Sequence, residues 1–348
     1  MIIDRTEIEN SAGIHGEPAV NRVLTAMIGV MVTFSVAAFD PQTLWQQWPE
    51  ARFVNTTSAC LQADDLQRQL DGLSKAHEGR VHLQLIGESV QGRPIRLLRL
   101  GEGRQNILLW SQMHGDEPSA TPALLDIADY LLTNSDEKSV RAILEKYTLL
   151  MIPMLNPDGA ALYQRYNAQG IDINRDALQL STPEGRLLKQ VRDRYQPVMG
   201  FNLHDQGRRT AVGGTGKLAT NSVLSVSGDE ANTVTPGRIM TKRAATAVVE
   251  ALAPFMPGGV ARYDEDWSPR AFGDNLTAWG TPVLLIESGG LPPGHAFSDL
   301  TRLNFVAILS VLKAMAENDL SGHDPAVYEN LPRNRSRSFS DMAVRGGR

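Results

Sequence analysis

Four residues of this sequence have types and positions that suit joint chemistry. His114 and Glu117 lie three residues apart in "SQMHGDEPSA", residues 111–120. His204 is found in "PVMGFNLHD" and Glu287 in "LLIESGG". Two histidines and one carboxylate are a known ligand set for catalytic zinc, in which the fourth position is left to water or substrate. A further carboxylate can then act as a general base.

Each of these residues also has a purely structural explanation. A glutamate in the first turn of a helix complements the helix dipole, and Glu117 could serve only that purpose. His204 could be a hydrogen-bonded histidine at the rim of a sheet. Glu287 is harder to explain in this way, because a carboxylate after an apolar run needs a partner or a raised pKa. The choice depends on whether the fold brings these residues together.

The strands and helices predicted around these residues indicate that the fold brings them together. Four apolar runs are typical of strands buried on both faces, namely "NILLWSQM", "YTLLMIPML", "PVMGFNLHD" and "TPVLLIESGG". Helical patterns alternate with them, which predicts one α/β sheet with helices on both faces. Ligands bind outside the carboxyl ends of the strands in open sheets of this kind. His114, the loop Asn156 to Gly159, His204 and Glu287 come at the ends of these runs.

Two further segments have clear local patterns. Residues 81–100 alternate apolar and polar side chains around "QGRP", which predicts a hairpin. Residues 207–237 are rich in Gly, Ser and Thr and predict a long loop. Within that segment, "GGTGK" (213–217) lacks the spacing of a phosphate-binding P-loop, so we predict a flexible loop there.

Composition narrows the class of partner. The chain has 348 residues and a formal net charge of -5, which provides no basic field for nucleic acid. We therefore expect a small-molecule or peptide partner and no nucleic acid. The single cysteine, Cys60, excludes an internal disulfide framework and a metal site made of several cysteines.

The N-terminal region predicts export. Residues 23–39 are almost uninterruptedly apolar and contain "SVAA", whose small residues suit cleavage after Ala37 or Ala38. We therefore expect a signal peptide over residues 1–37, with a signal-like core at 20–38, and a secreted or periplasmic protein. The acidic residues before the run do not fit a signal peptide, which suggests that the N-terminus is over-extended and that translation starts at Val20. The alternative is a buried or membrane-anchoring helix.

Five motifs in a fixed order resemble the zinc carboxypeptidase family of the carboxypeptidase A type. They are "HGDE", "NPDG", "GIDINRD", "NLHD" and "LLIESGG", and the resemblance covers about residues 80 to 317. It suggests a bacterial-type secreted member. It implies a single three-layer α/β/α domain with a central mixed, mostly parallel twisted sheet. It also implies that His114, Glu117 and His204 hold one zinc ion.

The resemblance also implies roles for other residues. Glu287 matches the general base and acid. Arg165, in "YQRYN", is similar to the arginine that polarises the scissile carbonyl, although its gap from "NPDG" is shorter than in carboxypeptidase A. Asn174 and Arg175 match the pair that binds the substrate's terminal carboxylate, and a planar guanidinium suits that task. The alternative for Arg175 is an ordinary pair with Asp172 or Asp176.

Two positions depart from the family's pattern. Tyr263 is the best candidate for the tyrosine that caps the substrate, but its spacing to Trp267 is shorter than in carboxypeptidase A. The acidic run 264–266 lies where the substrate side chain would be selected. It could favour a basic side chain, or it could be a solvated loop.

These observations lead to one functional prediction and two alternatives. We expect a zinc metallocarboxypeptidase domain at 38–320, acting on the C-terminal bond of peptides, and a basic, solvated tail at 321–348. No stable membrane association is expected once the signal is removed. The first alternative is an amidohydrolase of the same fold that acts on N-acyl amino acids or murein peptides. The second is an inactive, carboxypeptidase-like binding module.

Overall fold

One eight-stranded sheet organises the described part of the chain. The computed structural model describes residues 39–54, 61–264 and 267–340. The predicted signal peptide and its alternatives fall outside these residues. Among the described helices, none has both the length and the apolar character needed to cross a membrane.

The sheet is mixed, and its central strands are parallel, as the family resemblance implied. Its strands in chain order are β1 (Val81–Glu88), β2 (Pro94–Leu100), β3 (Gln105–Ser111), β4 (Tyr147–Ile152), β5 (Met199–Asp205), β7 (Asn221–Ser225), β8 (Val260–Arg262) and β9 (Val283–Ser288). Their order in space is β1-β2-β4-β3-β5-β9-β7-β8. β4, β3, β5 and β9 run parallel, whereas β1 and β2 form the predicted antiparallel hairpin. A separate two-stranded sheet pairs β6 (Ala211–Val212) with β10 (Asn334–Arg335).

Helices connect these strands. They are α1 (Pro41–Ala51), α2 (Ala63–Ala76), α3 (Ala120–Thr133), α4 (Lys138–Lys146), α5 (Pro157–Leu162), α6 (Pro183–Tyr195), α7 (Pro236–Leu252), α8 (Phe272–Ala278), α9 (Ser298–Asn318) and α10 (Pro325–Glu329), with a 3₁₀ turn at Ile173–Arg175. Several begin with a polar cap followed by proline. Asn156 accepts the Gly159 N–H at the start of α5 (2.9 Å), and Thr182 accepts the Gly185 N–H at the start of α6 (3.0 Å). Such caps satisfy N–H groups that have no partner inside the helix.

The core lies on both faces of the sheet. In β9, Leu284 and Ile286 pack into a core formed with α3, α7 and α9. Val283 and Leu285 alternate with them and pack with α6 and α8 on the other face. Complete burial of one such aliphatic side chain stabilises the fold by about 1.5–3 kcal/mol. A sheet buried in this way between two helical layers is the predicted α/β architecture.

Part of the predicted loop 207–237 is a strand. β7 pairs antiparallel with β9 and parallel with β8, so it lies inside the sheet. The polar residues Asn221 and Ser222 of β7 are fully buried, and for that reason no apolar run revealed this strand.

Residues 321–340 differ from the predicted solvated tail. Tyr328 of α10 is only 2% exposed, and its hydroxyl accepts a hydrogen bond from the Ser225 N–H at 3.1 Å. β10 then pairs with β6, and Asn334 Nδ2 donates to Gln206 Oε1 at 3.0 Å. These contacts are non-local, and the basic composition of the segment concealed them. Residues 341–348 lie outside the described part of the chain.

Candidate metal centre

Three adjacent parallel strands deliver the candidate site. His114 follows β3, His204 is the penultimate residue of β5, and Glu287 is the penultimate residue of β9. β5 pairs with both β3 and β9, and His204 lies opposite Glu287 in the register. The carboxyl ends of these strands therefore meet at one edge of the sheet, where α/β folds bind ligands.

Glu117 joins the two histidines into one buried cluster. Its Oε1 lies 2.8 Å from His114 Nδ1, and its Oε2 lies 2.6 Å from His204 Nδ1. The potential ligand atoms of the three residues all lie within 4.8 Å of one another. Three buried residues of these types match the protein ligands of catalytic zinc sites. The cluster therefore fits a metal ion.

The charges of the cluster favour a bound cation. Burial would raise the pKa of Glu117, but the two imidazoles hold that pKa well below its usual range. Burial would lower the pKa of His114, but the carboxylates of Glu117 and Asp172 raise it. The carboxylates of Glu117 and Asp172 thus attract positive charge to this buried cluster. A divalent ion can replace the protons that would otherwise satisfy the ring nitrogens facing Glu117.

Asp172 supports the cluster from outside. Its Oδ1 lies 3.1 Å from His114 Nε2, on the side of the ring away from Glu117, and its Oδ2 accepts from Arg165 Nε at 3.0 Å. Its Oδ1 also accepts the Asn174 N–H at 2.9 Å. A carboxylate on the second nitrogen of a ligating imidazole fixes the ring's orientation and tautomer. The sequence reasoning missed this role, although such a histidine requires a partner of this kind.

A buried polar network ties together the neighbours of the cluster. Asp205 accepts hydrogen bonds from the N–H (3.1 Å) and the hydroxyl of Ser119, and burial raises the pKa of Asp205 to about 7. Asn304 Nδ2 donates to Ser119 Oγ at 3.2 Å and to Ser288 Oγ at 2.9 Å. Asp205 is adjacent to His204, and Ser288 is adjacent to Glu287. The network therefore links the chain segments that carry the candidate residues.

All the predicted site residues line one cavity of about 260 Å³. They are His114, Glu117, Arg165, Asn174, Arg175, His204, Tyr263 and Glu287. Glu287 is buried, with 7% of its surface exposed. His204 and Glu287 thus line the same cavity as the residues predicted to contact substrate.

Arg165 contacts the cluster directly. Its NH1 donates to Glu117 Oε1 at 3.4 Å and lies 3.2 Å from His114 Nδ1. Partial burial would lower the pKa of Arg165, but the carboxylates of Asp172 and Glu117 raise it. The guanidinium is therefore a fixed positive charge beside the candidate ligands.

Asn174 and Arg175 occupy the 3₁₀ turn at the wall of the cavity. Asn174 Oδ1 accepts the Phe272 N–H at 2.9 Å, which leaves the amide NH₂ as the group available to a ligand. Arg175 NH1 donates to the Asn174 backbone carbonyl at 2.8 Å. Asp176 accepts the Ser181 and Thr182 N–H groups.

The structure describes only part of the acidic run 264–266 and adds another carboxylate to the cavity. Asp264 forms an ion pair with Arg333 and does not line the cavity, and Glu265 and Asp266 lie outside the described residues. Asp274 does line it. Asp274 lies in the first turn of α8, and its carboxylate accepts the Ser268 N–H at 2.9 Å.

Comparison with known proteins identifies the family of one segment of the chain. A family model described as zinc carboxypeptidase matches residues 66–207. This segment belongs to the zinc carboxypeptidase family. It contains the three residues of the metal-binding cluster, as well as Arg165, Asn174 and Arg175.

Curated relatives also match part of the chain. Carboxypeptidase 2 of Trichophyton rubrum is 31% identical over 135 residues, which are 38% of this chain and 23% of that protein. Carboxypeptidase SOL1 of Arabidopsis thaliana is 31% identical over 120 residues, which are 32% of this chain and 24% of that protein. The chain thus spans about a quarter of the length of these relatives.

Solved structures share the fold. A metallo-carboxypeptidase from Pseudomonas aeruginosa has a TM-score of 0.58 at 22% identity, over 73% of this chain and 69% of that one. Carboxypeptidase A from Helicoverpa armigera has a TM-score of 0.58 at 14% identity, over 80% of each chain. At these identities the likeness shows the carboxypeptidase fold alone.

Proposed function

We propose that this chain is a zinc-dependent metallocarboxypeptidase that hydrolyses the C-terminal peptide bond of peptides. The observation that carries the proposal is the meeting of Asn174 and Arg175 with the metal-binding cluster and Glu287 in one cavity. A guanidinium and an amide NH₂ can bind a terminal carboxylate. An enzyme that cuts inside chains has no use for such a pair.

The metal-binding cluster and Glu287 have different roles in hydrolysis. A zinc ion held by His114, Glu117 and His204 would polarise the scissile carbonyl and make a water more acidic. Glu287 accepts a proton from the water whose oxygen attacks the carbonyl carbon. It then returns that proton to the nitrogen of the leaving amine as the C–N bond breaks.

Arg165 and the terminal-carboxylate pair position and stabilise the reacting groups. Arg165 donates hydrogen bonds to the negative charge that develops on the carbonyl oxygen. A donor of this kind lowers the barrier by about 3 kcal/mol. Asn174 and Arg175 hold the chain end so that only the last bond reaches Glu287, and Tyr263 closes over the substrate.

Asp274 is our candidate for selection of the substrate side chain. A carboxylate on the wall of a partly enclosed cavity favours a cationic group. We therefore propose a preference for a C-terminal Lys or Arg. The Pseudomonas aeruginosa structure named above contains (2-guanidinoethylmercapto)succinic acid, a compound with a guanidino group. Asp274→Asn should reduce the ratio of kcat/KM for a C-terminal Arg to that for a C-terminal Leu.

We also propose export by the segment 20–38, since its apolar run and small residues are typical of a signal peptide.

The test of the proposed function compares the wild type with Glu287→Gln, which keeps the size of the side chain. Zinc content is measured by mass spectrometry, and hydrolysis is measured on peptides, N-acyl amino acids and murein peptides. We expect both proteins to bind one zinc ion and the variant to lose at least about 100-fold in kcat. Hydrolysis of N-acyl amino acids or murein peptides alone would establish the amidohydrolase. Zinc binding without any hydrolysis would establish the binding module.

A further inference from the structure

A second, larger cavity lies beside the one that contains the candidate metal centre and Glu287, which we call the catalytic cavity. Its volume is about 980 Å³, and Arg208, Arg209 and Lys217 contribute positive charge to its lining. Apolar side chains form much of the remainder, including Leu218, Phe255, Met256, Leu291 and Phe339. No aspartate or glutamate is among its described lining residues. We call this cavity, as defined by these residues, the cationic groove.

The charges of the cationic groove are not neutralised within the described part of the chain. Arg208 and Arg209 are exposed and form no ion pair with a described residue. Lys217 Nζ donates to the Pro257 carbonyl at 2.8 Å, which leaves its charge in place. Since the whole chain carries a net charge of -5, the groove is a local positive region. Such a region attracts anionic ligands.

Two segments form a wall common to the groove and the catalytic cavity. In the first, Gly207 and Thr210 line the catalytic cavity, whereas Arg208 and Arg209 between them line the groove. In the second, Asn334 and Ser336 line the catalytic cavity and Phe339 lines the groove. The Ser338 N–H donates to the Arg209 carbonyl at 2.8 Å and joins the two segments. A chain that leaves the catalytic cavity across this wall enters the groove.

We propose that the cationic groove binds the part of a peptide substrate on the N-terminal side of the scissile bond and selects acidic and apolar side chains there. This inference rests on the proposed function, because a chain end held at Asn174 and Arg175 requires the rest of the peptide to leave the catalytic cavity. Carboxylates pair with Arg208 and Arg209, since a guanidinium can donate hydrogen bonds to both oxygens of one carboxylate. Apolar side chains of the peptide pack against Phe255, Leu291 and Phe339.

The test uses hexapeptides that share their last two residues and carry either Asp and Leu or Gln and Ser upstream. Binding is measured by fluorescence anisotropy with zinc-loaded Glu287→Gln protein, and KM is measured with Glu287 intact. We expect about 5- to 10-fold tighter binding of the acidic peptide, the size expected of two or three exposed ion pairs. The preference should disappear when Arg208→Ala and Arg209→Ala are combined, and it should weaken in high salt. Arg104→Ala, an exposed arginine outside both cavities, is the matched control and should keep the preference.

Three results would overturn the inference. They are equal binding of the two peptides, retention of the preference in the double variant, and groove-dependent binding of anionic phospholipid vesicles without binding of acidic peptides. The result also separates the two proposals. If acidic peptides bind through Arg208 and Arg209 but no peptide is hydrolysed, the groove is supported and the proposed function is wrong.

Discussion

Asp172 offers a test of the metal-binding cluster that leaves the three candidate ligands unchanged. Asp172→Asn keeps the size of the side chain but removes its charge and replaces one acceptor oxygen with an NH₂ group. That oxygen faces either His114 Nε2 at 3.1 Å or Arg165 Nε at 3.0 Å. In either case one hydrogen bond that positions His114 or Arg165 is lost, because the side chain then faces a donor instead of an acceptor.

The expected effect follows from the place of this contact. Loss of the carboxylate behind a ligating imidazole typically weakens metal affinity about 10- to 100-fold. This is about 1.4 to 2.7 kcal/mol of zinc binding free energy. The measurement is the zinc dissociation constant, obtained by competition with a fluorescent chelator at constant pH.

Asp176→Asn is the matched control. Asp176 accepts the Ser181 N–H at 2.9 Å and the Thr182 N–H at 2.8 Å, and no described hydrogen bond joins it to the cluster. We expect this variant to lower thermal stability and to leave zinc affinity unchanged. An Asp172→Asn protein that binds zinc as the wild type does would refute the role of Asp172, and so would equal weakening by both variants.

Three further predictions concern the turn, the core and the substrate. A Cβ on Gly115 would lie 2.0 Å from the backbone carbon of Gly159, so Gly115→Ala should displace the His114–Glu117 turn and abolish zinc binding in a chelator assay. Burial raises the pKa of Asp126 to about 7 from 3.8, so its contribution to stability is present at low pH and is lost as the pH rises through 7. Relative to Asp126→Asn, the free energy of unfolding of the wild type in urea should therefore fall by up to about 4 kcal/mol between pH 4 and 8. Arg175→Ala should raise KM for a free-acid peptide about 10- to 100-fold, because a charge-assisted pair with the terminal carboxylate is lost.

Each of these predictions has a control and a contradictory outcome. Gly214→Ala meets no atom within 4 Å and should bind zinc normally, and normal binding by Gly115→Ala would contradict the steric reasoning. A stability difference for Asp126→Asn that is independent of pH would show that burial does not govern that carboxyl. If Arg175→Ala raised KM equally for amidated peptides, Arg175 would not recognise the terminal carboxylate.

The sequence was sufficient to predict the central strands, because strands that are buried on both faces consist of continuous apolar runs. β3, β4, β5 and β9 are such runs, and polar residues at their carboxyl ends marked the site. β7 was not recognisable, since Asn221 and Ser222 are buried by their neighbours in the sheet and not by apolar character. The segment 321–340 was concealed for the same reason, because Tyr328 packs against a distant part of the chain.

Within the candidate site, the sequence predicted the residues that face the cavity better than those that support them. A resemblance of motifs identified residues such as His114 and Glu287. The contact of Asn304 with Ser119 joins residues 185 positions apart, and no local pattern indicates it. Asp274 was likewise missed, since only the fold determines which carboxylates line the cavity.

The most direct test of the proposed function is the pattern of products from one peptide, supplied as the free acid and as the C-terminal amide. Each form is incubated with the zinc-loaded protein, and the products are followed by mass spectrometry over time. Stepwise loss of single residues from the free acid is expected, with the amide cut at least about tenfold more slowly. Internal cleavage, or equal cleavage of the two forms, would contradict the assignment of a metallocarboxypeptidase.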